Sequence, residues 1–245
     1  MKKDSGKLVI EGRNTVLDSI NSKQIIETVF VSSSVLNDPK VVNIQKVARK
    51  KKINIQILPP TDLARLTSTT SSQGVAAIMK EPEQPSLELL LKNKRDIFLL
   101  LLNRIDYEQN MGAILRSAWG AGVDAVIASP SGVHKITPAV AKVSMGAAAY
   151  VPLIGMSLFQ AIKMIHDYAV PLVGVEVNKG ESIYKTNLRG PIALMLGGEE
   201  AGLSEPLMKE CDLLTNIPMN QQLASLNVSV ATALCLFEKT RQDEV

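Results

Sequence analysis

Three short stretches of this chain carry residue types and spacings that could do chemistry. In NMGAILRSAWGAGVDAVI, Asn110, Gly112 and Arg116 fall within two helical turns. An asparagine can cap a helix, and a glycine lets a ligand or another backbone approach. An arginine one turn further offers a planar cation to an anion. In LGGEEAGLS, an apolar strand pattern runs into a glycine-rich loop bearing Glu199 and Glu200. That loop has neither the G-x-G-x-x-G spacing nor the Gly-Lys-Ser/Thr ending of the phosphate loops. Its two acids would repel a pyrophosphate but suit a cationic or hydroxyl-rich ligand. In IPMNQQLASLNVSVATALCLFEK, a strand ends near Pro218, a loop crosses, and a helix begins near Ser225–Asn227. That helix is apolar almost all round, with Val228, Val230, Ala231, Ala233, Leu234, Leu236 and Phe237, so it must be buried in an interface or inside the fold.

These stretches need a scaffold, and the pattern supplies one. From Asp96 onward the runs DIFLLLLN, DAVIAS, YVPLI, PLVGVEV, IALMLGG and LLTNIPM read as strands. They are continuously apolar, as a parallel sheet covered on both faces requires. Helices are expected at Asn110–Gly120, Pro138–Ala147, Ser157–Asp167, Ser204–Cys211 and Asn227–Gln242. The class is therefore α/β, and all three stretches follow strand carboxyl ends, where open α/β sheets bind ligands. Upstream, IETVFVSSS, INIQIL and GVAAIM read as three strands. PKVVNIQKVARKKK reads as a helix between the first two, and TDLARLTST as a helix capped by a threonine after Pro59–Pro60. Lys80–Ser86, with two prolines, is the linker candidate. Residues 1–85 and 86–245 are thus expected to form a small and a large α/β domain.

Composition narrows the function. The chain has 245 residues and a net charge of +3. Residues 1–85 hold 13 Lys/Arg against 8 Asp/Glu, and the remainder 14 against 16, so the basic excess lies in the first third. There, Lys46–Lys52 packs five cations into seven residues, either a solvated helix end or a phosphate-contacting patch. Cys211 and Cys235 are too few and too distant for a disulfide framework or zinc site, and are expected to be inert buried thiols. His134 and His166 are isolated, which disfavours a metal. The amino-terminal segment lacks the apolar stretch of a signal peptide, and Ile97–Asn103 is too short to span a bilayer. A cytoplasmic, reduced protein without a membrane is expected.

In order, spacing and register, the three stretches resemble motifs one, two and three of the SpoU/TrmH branch of the SPOUT RNA ribose 2′-O-methyltransferases. EGRNTVLDSI through TSTTSSQGVAAI resembles that family's small L30e-like substrate-binding domain, so the likeness covers nearly the whole chain. It implies a parallel-sheet α/β knot, a deep trefoil made by the C-terminal segment. It implies S-adenosylmethionine as methyl donor, held mainly by backbone groups at Leu196, Gly197, Ile217, Met219 and Leu226, with no metal. It implies a homodimer with the last helix in the interface, and RNA as partner, ribosomal 23S RNA in preference to transfer RNA.

The resemblance also gives Arg116 a task at the ribose 2′-hydroxyl, with Asn110, Glu199, Ser225 and Asn227 completing the site. As a general base, a guanidinium, which ordinarily holds its proton far above neutral pH, would give it up at a cost of about 8 kcal/mol. Bidentate grip of the neighbouring phosphate and stabilisation of the developing alkoxide is the cheaper role. Four positions, in three loops, depart from the family pattern. Tyr107-Glu108 stands where an Asp-Pro pair is usual, and Glu200 and Gln221 stand where glycines are usual. These bear on loop shape. Two rivals have other mechanisms: a non-catalytic RNA-binding or ribosome-assembly protein of the same fold, and a Rossmann-type nucleotide enzyme, which the missing glycine fingerprint opposes.

Overall fold

The computed structural model describes residues 7–22, 25–67, 72–80, 84–198, 202–220 and 222–244. The chain divides into two compact units, one from Met1–Glu83 with Ile136–Tyr150, the other from Gln84–Lys135 with Val151–Val245.

The first unit contains β1 (Lys7–Glu11), α1 (Arg13–Asn21), β2 (Ile26–Ser32), α2 (Pro39–Lys50), β3 (Asn54–Leu58), α3 (Pro60–Leu66) and β4 (Val75–Lys80). Its four strands lie in the order β1-β4-β2-β3, with only the β2–β3 pair parallel. Central β2 and β4 are largely buried, as their Val, Ile and Ala content dictates, whereas edge strand β3 is mostly exposed. Asp38 starts α2 by accepting from the backbone N–H of Lys40 at 2.9 Å and of Val41 at 3.4 Å. Neither β1 nor α1 carries a periodicity strong enough to have been expected. The threonine cap expected for α3 is not made: Pro59 occupies the cap position and Thr61 lies inside the helix. A proline at the first helical position, with its φ already set, replaces the side-chain cap.

The second unit contains α4 (Leu87–Asn93), β5 (Phe98–Asn103), α5 (Glu108–Gly120) and β6 (Ala125–Ala128). α6 (Pro138–Val143) belongs to the first unit and packs on β1. The second unit resumes with β7 (Leu153–Gly155), α7 (Leu158–Asp167), β8 (Leu172–Val175), β9 (Glu181–Ser182), β10 (Ile192–Gly197), α8 (Glu205–Lys209), β11 (Leu213–Asn216) and α9 (Val228–Glu244). α6 stops short of Ala147 because Met145 and Gly146 both turn left-handed, with φ of 48° and 89°, which ends a right-handed helix.

Seven strands form the sheet, in the order β7-β6-β5-β10-β8-β11-β9, and every pair is parallel. Leu99 to Leu102 of β5 and Ala193 to Met195 of β10 are fully buried, which accounts for the unbroken apolar runs. One face carries Leu99, Leu101, Ala193 and Met195 against Ala161, Ile162 and Ile165 of α7 and Leu87 and Leu91 of α4. α5 and α9 pack together, and α9 also lies on β10. At the amino ends of β5 and β8, Asp124 and Asp212 accept from the N–H groups of Phe98 and Leu172 at 3.0 and 2.8 Å. Those carboxylates satisfy donors that the ladder leaves over, so the opposite, carboxyl ends are the free face.

Candidate functional site

The carboxyl ends of β8, β10 and β11, with the start of α9, enclose a cavity of about 360 Å³. Its wall contains Leu196, Gly197, Ile217, Met219 and Leu226, the five positions expected to hold the cofactor, together with Ser225. Residues separated by up to 30 positions in sequence thus share one concavity. The volume lies in the range of small-molecule sites, and the lining is apolar with few convergent polar groups.

Glycine is obligatory at the base. A Cβ on Gly197 would lie 1.9 Å from the carbonyl carbon of Gly202, and one on Gly198 would lie 2.0 Å from the oxygen of Arg104. Gly202 donates to the Gly198 carbonyl at 3.2 Å, so this pair brackets residues 199–201. Glu199, expected in the site, lies outside the described residues, as do Glu200 and Gln221.

Glu176, directly after β8, is a cavity residue outside all three sequence motifs. Its Oε2 accepts from the Leu203 N–H at 2.7 Å and its Oε1 from the Val177 N–H at 2.9 Å. The carboxylate therefore ties the segment between the glycine loop and α8 to the end of β8. A Cβ on Gly202, whose φ of 58° already strains any other residue, would sit 2.5 Å from that carboxylate and push it aside. A lone acid at the carboxyl end of the apolar run PLVGVEV was the available signal.

Asn227 and Asn110, 117 residues apart, meet: the Asn227 Nδ2 donates to the Asn110 Oδ1 at 3.3 Å. Asn227 also starts α9, its Oδ1 accepting from the Ser229 N–H at 2.9 Å and from the Ser229 hydroxyl at 2.6 Å. Asn110 does not cap α5. It sits in the first turn, Tyr107 holds the cap position, and no side chain caps the helix. The Asn110 side chain is turned instead to Asn227. Arg116 is exposed on α5, nearly two turns on from Asn110. Among the described residues the cavity wall includes neither Arg116 nor Asn110.

α9 is not enclosed all round. Val228, Thr232, Cys235, Leu236 and Lys239 are buried, but Val230, Leu234 and Phe237 are 49%, 40% and 49% exposed. They repeat at i, i+4, i+7 and so form one stripe. Trp119 of α5 is likewise exposed, and a Cβ on Gly120 would touch the Phe237 ring at 3.4 Å. Burial pushes the thiols of Cys235 and Cys211 up to about 12. For Cys211 the neighbouring Asp212 and Glu210 add to the shift. Neither is a nucleophile near neutral pH. Among the described residues, no group of three or more His, Cys, Asp or Glu could hold a metal ion, and no helix is long and apolar enough to cross a membrane.

Comparison with known proteins agrees with this geometry. Residues 97–237 match the SpoU rRNA methylase family, and residues 9–85 match the domain described as RNA 2′-O ribose methyltransferase substrate binding. A relative from Coxiella burnetii, named 23S rRNA (guanosine-2′-O-)-methyltransferase RlmB, is 36% identical over 85% of this chain and 85% of its own length. One of the same name from Xylella fastidiosa is 35% identical over 95% and 96%. An AdoMet-bound rRNA methyltransferase from Sinorhizobium meliloti superposes with a TM-score of 0.81 over 98% of this chain and 89% of that one; at 21% identity the likeness is one of fold. The chain belongs to the SpoU rRNA methylase family.

Proposed function

We propose that this protein transfers a methyl group from S-adenosylmethionine to a ribose 2′-hydroxyl of structured RNA, with 23S ribosomal RNA as the substrate. The observation that carries the reading is the convergence of Leu196–Gly198, Ile217–Met219 and Ser225–Leu226 on one cavity at the strand carboxyl ends. The residues present suit the cofactor: close-packed glycine backbone, apolar walls and a single described carboxylate favour a flat, apolar and cationic ligand. When bound, S-adenosylmethionine supplies a sulfonium-activated methyl group. Leu196, Gly197, Ile217, Met219 and Leu226 would hold it through their backbone groups.

The chain's own side chains then have the acceptor to arrange. Arg116 uses its guanidinium fork on the phosphate beside the target ribose, lowering the energy of the developing alkoxide. Asn110 and Asn227, already joined, fix the first turn of α5 to the start of α9 and orient the hydroxyl, a task to which we also assign Ser225 and Glu199. The hydroxyl proton would pass to solvent as the ribose oxygen takes the methyl group and the sulfonium–methyl bond breaks, releasing a neutral thioether. We further infer that the C-terminal segment threads the sheet as a deep trefoil knot. Residues 1–85 grip RNA while residues 86–245 perform the transfer, in the cytoplasm. A second protomer covers the Val230–Leu234–Phe237 stripe, since each such side chain stabilises by about 1.5–3 kcal/mol when buried.

The test supplies labelled methyl donor with 23S rRNA and, separately, transfer RNA, and maps the label by ribose-methylation-sensitive primer extension. Ribose label on 23S rRNA is expected; label on base nitrogens sinks the assignment. Arg116→Ala and Arg116→Lys should both lose at least about a hundredfold in kcat/KM, because an ammonium cannot reproduce the fork. Light scattering should report a dimer that Phe237→Asp converts to a monomer.

A further inference from the structure

We propose that the second half of α2 and the turn after it form a groove for a single-stranded segment of RNA. An unpaired base would rest on Leu36 and Val42, with its phosphates held by Lys46, Arg49, Lys50 and Lys52. The proposal rests on the RNA substrate argued above and adds where the first unit takes hold.

Leu36, Val42, Gln45, Lys46 and Arg49 line a second cavity of about 360 Å³, within the first unit. Its floor is apolar, with Val42 half exposed, and its rim is cationic. The Arg49 Nη2 donates to the Gln45 Oε1 at 3.5 Å, which ties the guanidinium to its own helix beside Val42. A base has an apolar face that aliphatic carbon and a guanidinium plane can both cover. Charge complementarity selects the rest of the occupant. From Pro39 to Thr61 the chain holds six cations and no carboxylate. Lys46, Arg49, Lys50 and Lys52 are exposed and enter no ion pair among the described residues, whereas Arg13, Lys92, Lys94 and Lys239 are each paired with an acid. Lys51 is spent differently, on the Ile20 carbonyl.

Cations at a helix C-terminus also complement its dipole, which alone would account for Arg49 and Lys50. It does not account for Lys52. α2 ends with the Lys52 N–H on the Arg49 carbonyl at 3.0 Å and the Ile53 N–H on the Ala48 carbonyl at 2.9 Å. This pairing puts Lys52 at the left-handed position glycine takes most easily, and its φ is 58°. A lysine there is crowded at Cβ, as is Ala169 at the matching position after α7, and unlike that alanine it adds a cation to the cluster.

The full-length protein is titrated, by fluorescence anisotropy, into a labelled unstructured oligoribonucleotide, an RNA duplex of equal phosphate count, and polyglutamate. The oligoribonucleotide should bind most tightly. K46E/R49E should weaken it at least tenfold and reduce the log–log salt slope by about 0.7 for each phosphate no longer neutralised. V42N should weaken the single strand and leave the duplex unchanged. K52G should bind several-fold more weakly yet melt at a higher temperature, opposite signs that a purely structural lysine would not give. Unchanged binding in K46E/R49E or K52G, or duplex or polyglutamate bound as tightly as the single strand, overturns the proposal. A chain that binds through this groove but methylates no RNA refutes the enzymatic reading and leaves the groove. Normal methylation with unchanged binding in K46E/R49E does the reverse.

Discussion

Two cavities of this molecule, one in each compact unit, are of similar size and opposite construction. The one at the ends of β8, β10 and β11 is made by backbone packed so closely that Gly197 admits no Cβ. The one on α2 is made by long cationic side chains around an apolar floor, on a surface with room to spare. A backbone-built pocket selects by shape and is intolerant of added atoms. A charge-built groove selects by sign, tolerates sequence change and answers to salt. Small, invariant ligands suit the first design and a long polyanion suits the second.

Breaking the backbone cavity should give the largest effect. Gly197→Ala forces a Cβ into the Gly202 carbonyl, and titration calorimetry should show S-adenosylmethionine affinity falling at least about a hundredfold, roughly 2.8 kcal/mol. Oligoribonucleotide binding should be unaffected; if it falls equally, the two sites are not separate in construction.

Salt should separate the sites next. Raising ionic strength should weaken RNA binding with a log–log slope of about −3, from four cations at about 0.7 each. S-adenosylmethionine affinity should change little. Comparable slopes would erase the contrast.

Glu176→Ala sharpens the comparison by testing the one described carboxylate in the backbone-built site. Two N–H groups lose a charged acceptor, so thermal unfolding should report a loss of about 1.5 kcal/mol, with weaker cofactor binding.

The smallest effect is acid sensitivity at the end of α9. Glu238 sits below the usual carboxylate range, first because Arg241 donates to it and then because Gln242 does. A lowered folded-state pKa contributes stability above the ordinary value near 4.5, lost as pH falls through the folded value. Chemical denaturation between pH 7 and pH 3 should show a decline that Glu238→Gln flattens.

Periodicity reveals the six long apolar strands because a parallel sheet buried on both faces needs unbroken Val, Ile and Leu. It misses β1, α1 and α4, whose apolar residues make no clear period, and β9, which has two residues and exists only because β11 lies beside it. The five cavity positions are legible through motif resemblance. Glu176 is not, because an isolated acid becomes informative only when the N–H groups of Leu203 and Val177 are seen to face it. Asn110 reads as a cap from its local chemistry, while its partner Asn227 lies 117 residues away. The pattern of α9 calls for cover all round; one stripe stays exposed in the single chain.

The strand–helix alternation, the glycine-rich turn and the position of the positive charge follow from the sequence without help, since each depends on nearest neighbours or on composition. Tertiary structure was needed to place β10 between β5 and β8, to bring three distant loops to one wall, and to join Asn227 to Asn110. Those outcomes depend on which surfaces meet after the chain has closed on itself, and no local preference encodes a meeting between residues a hundred positions apart.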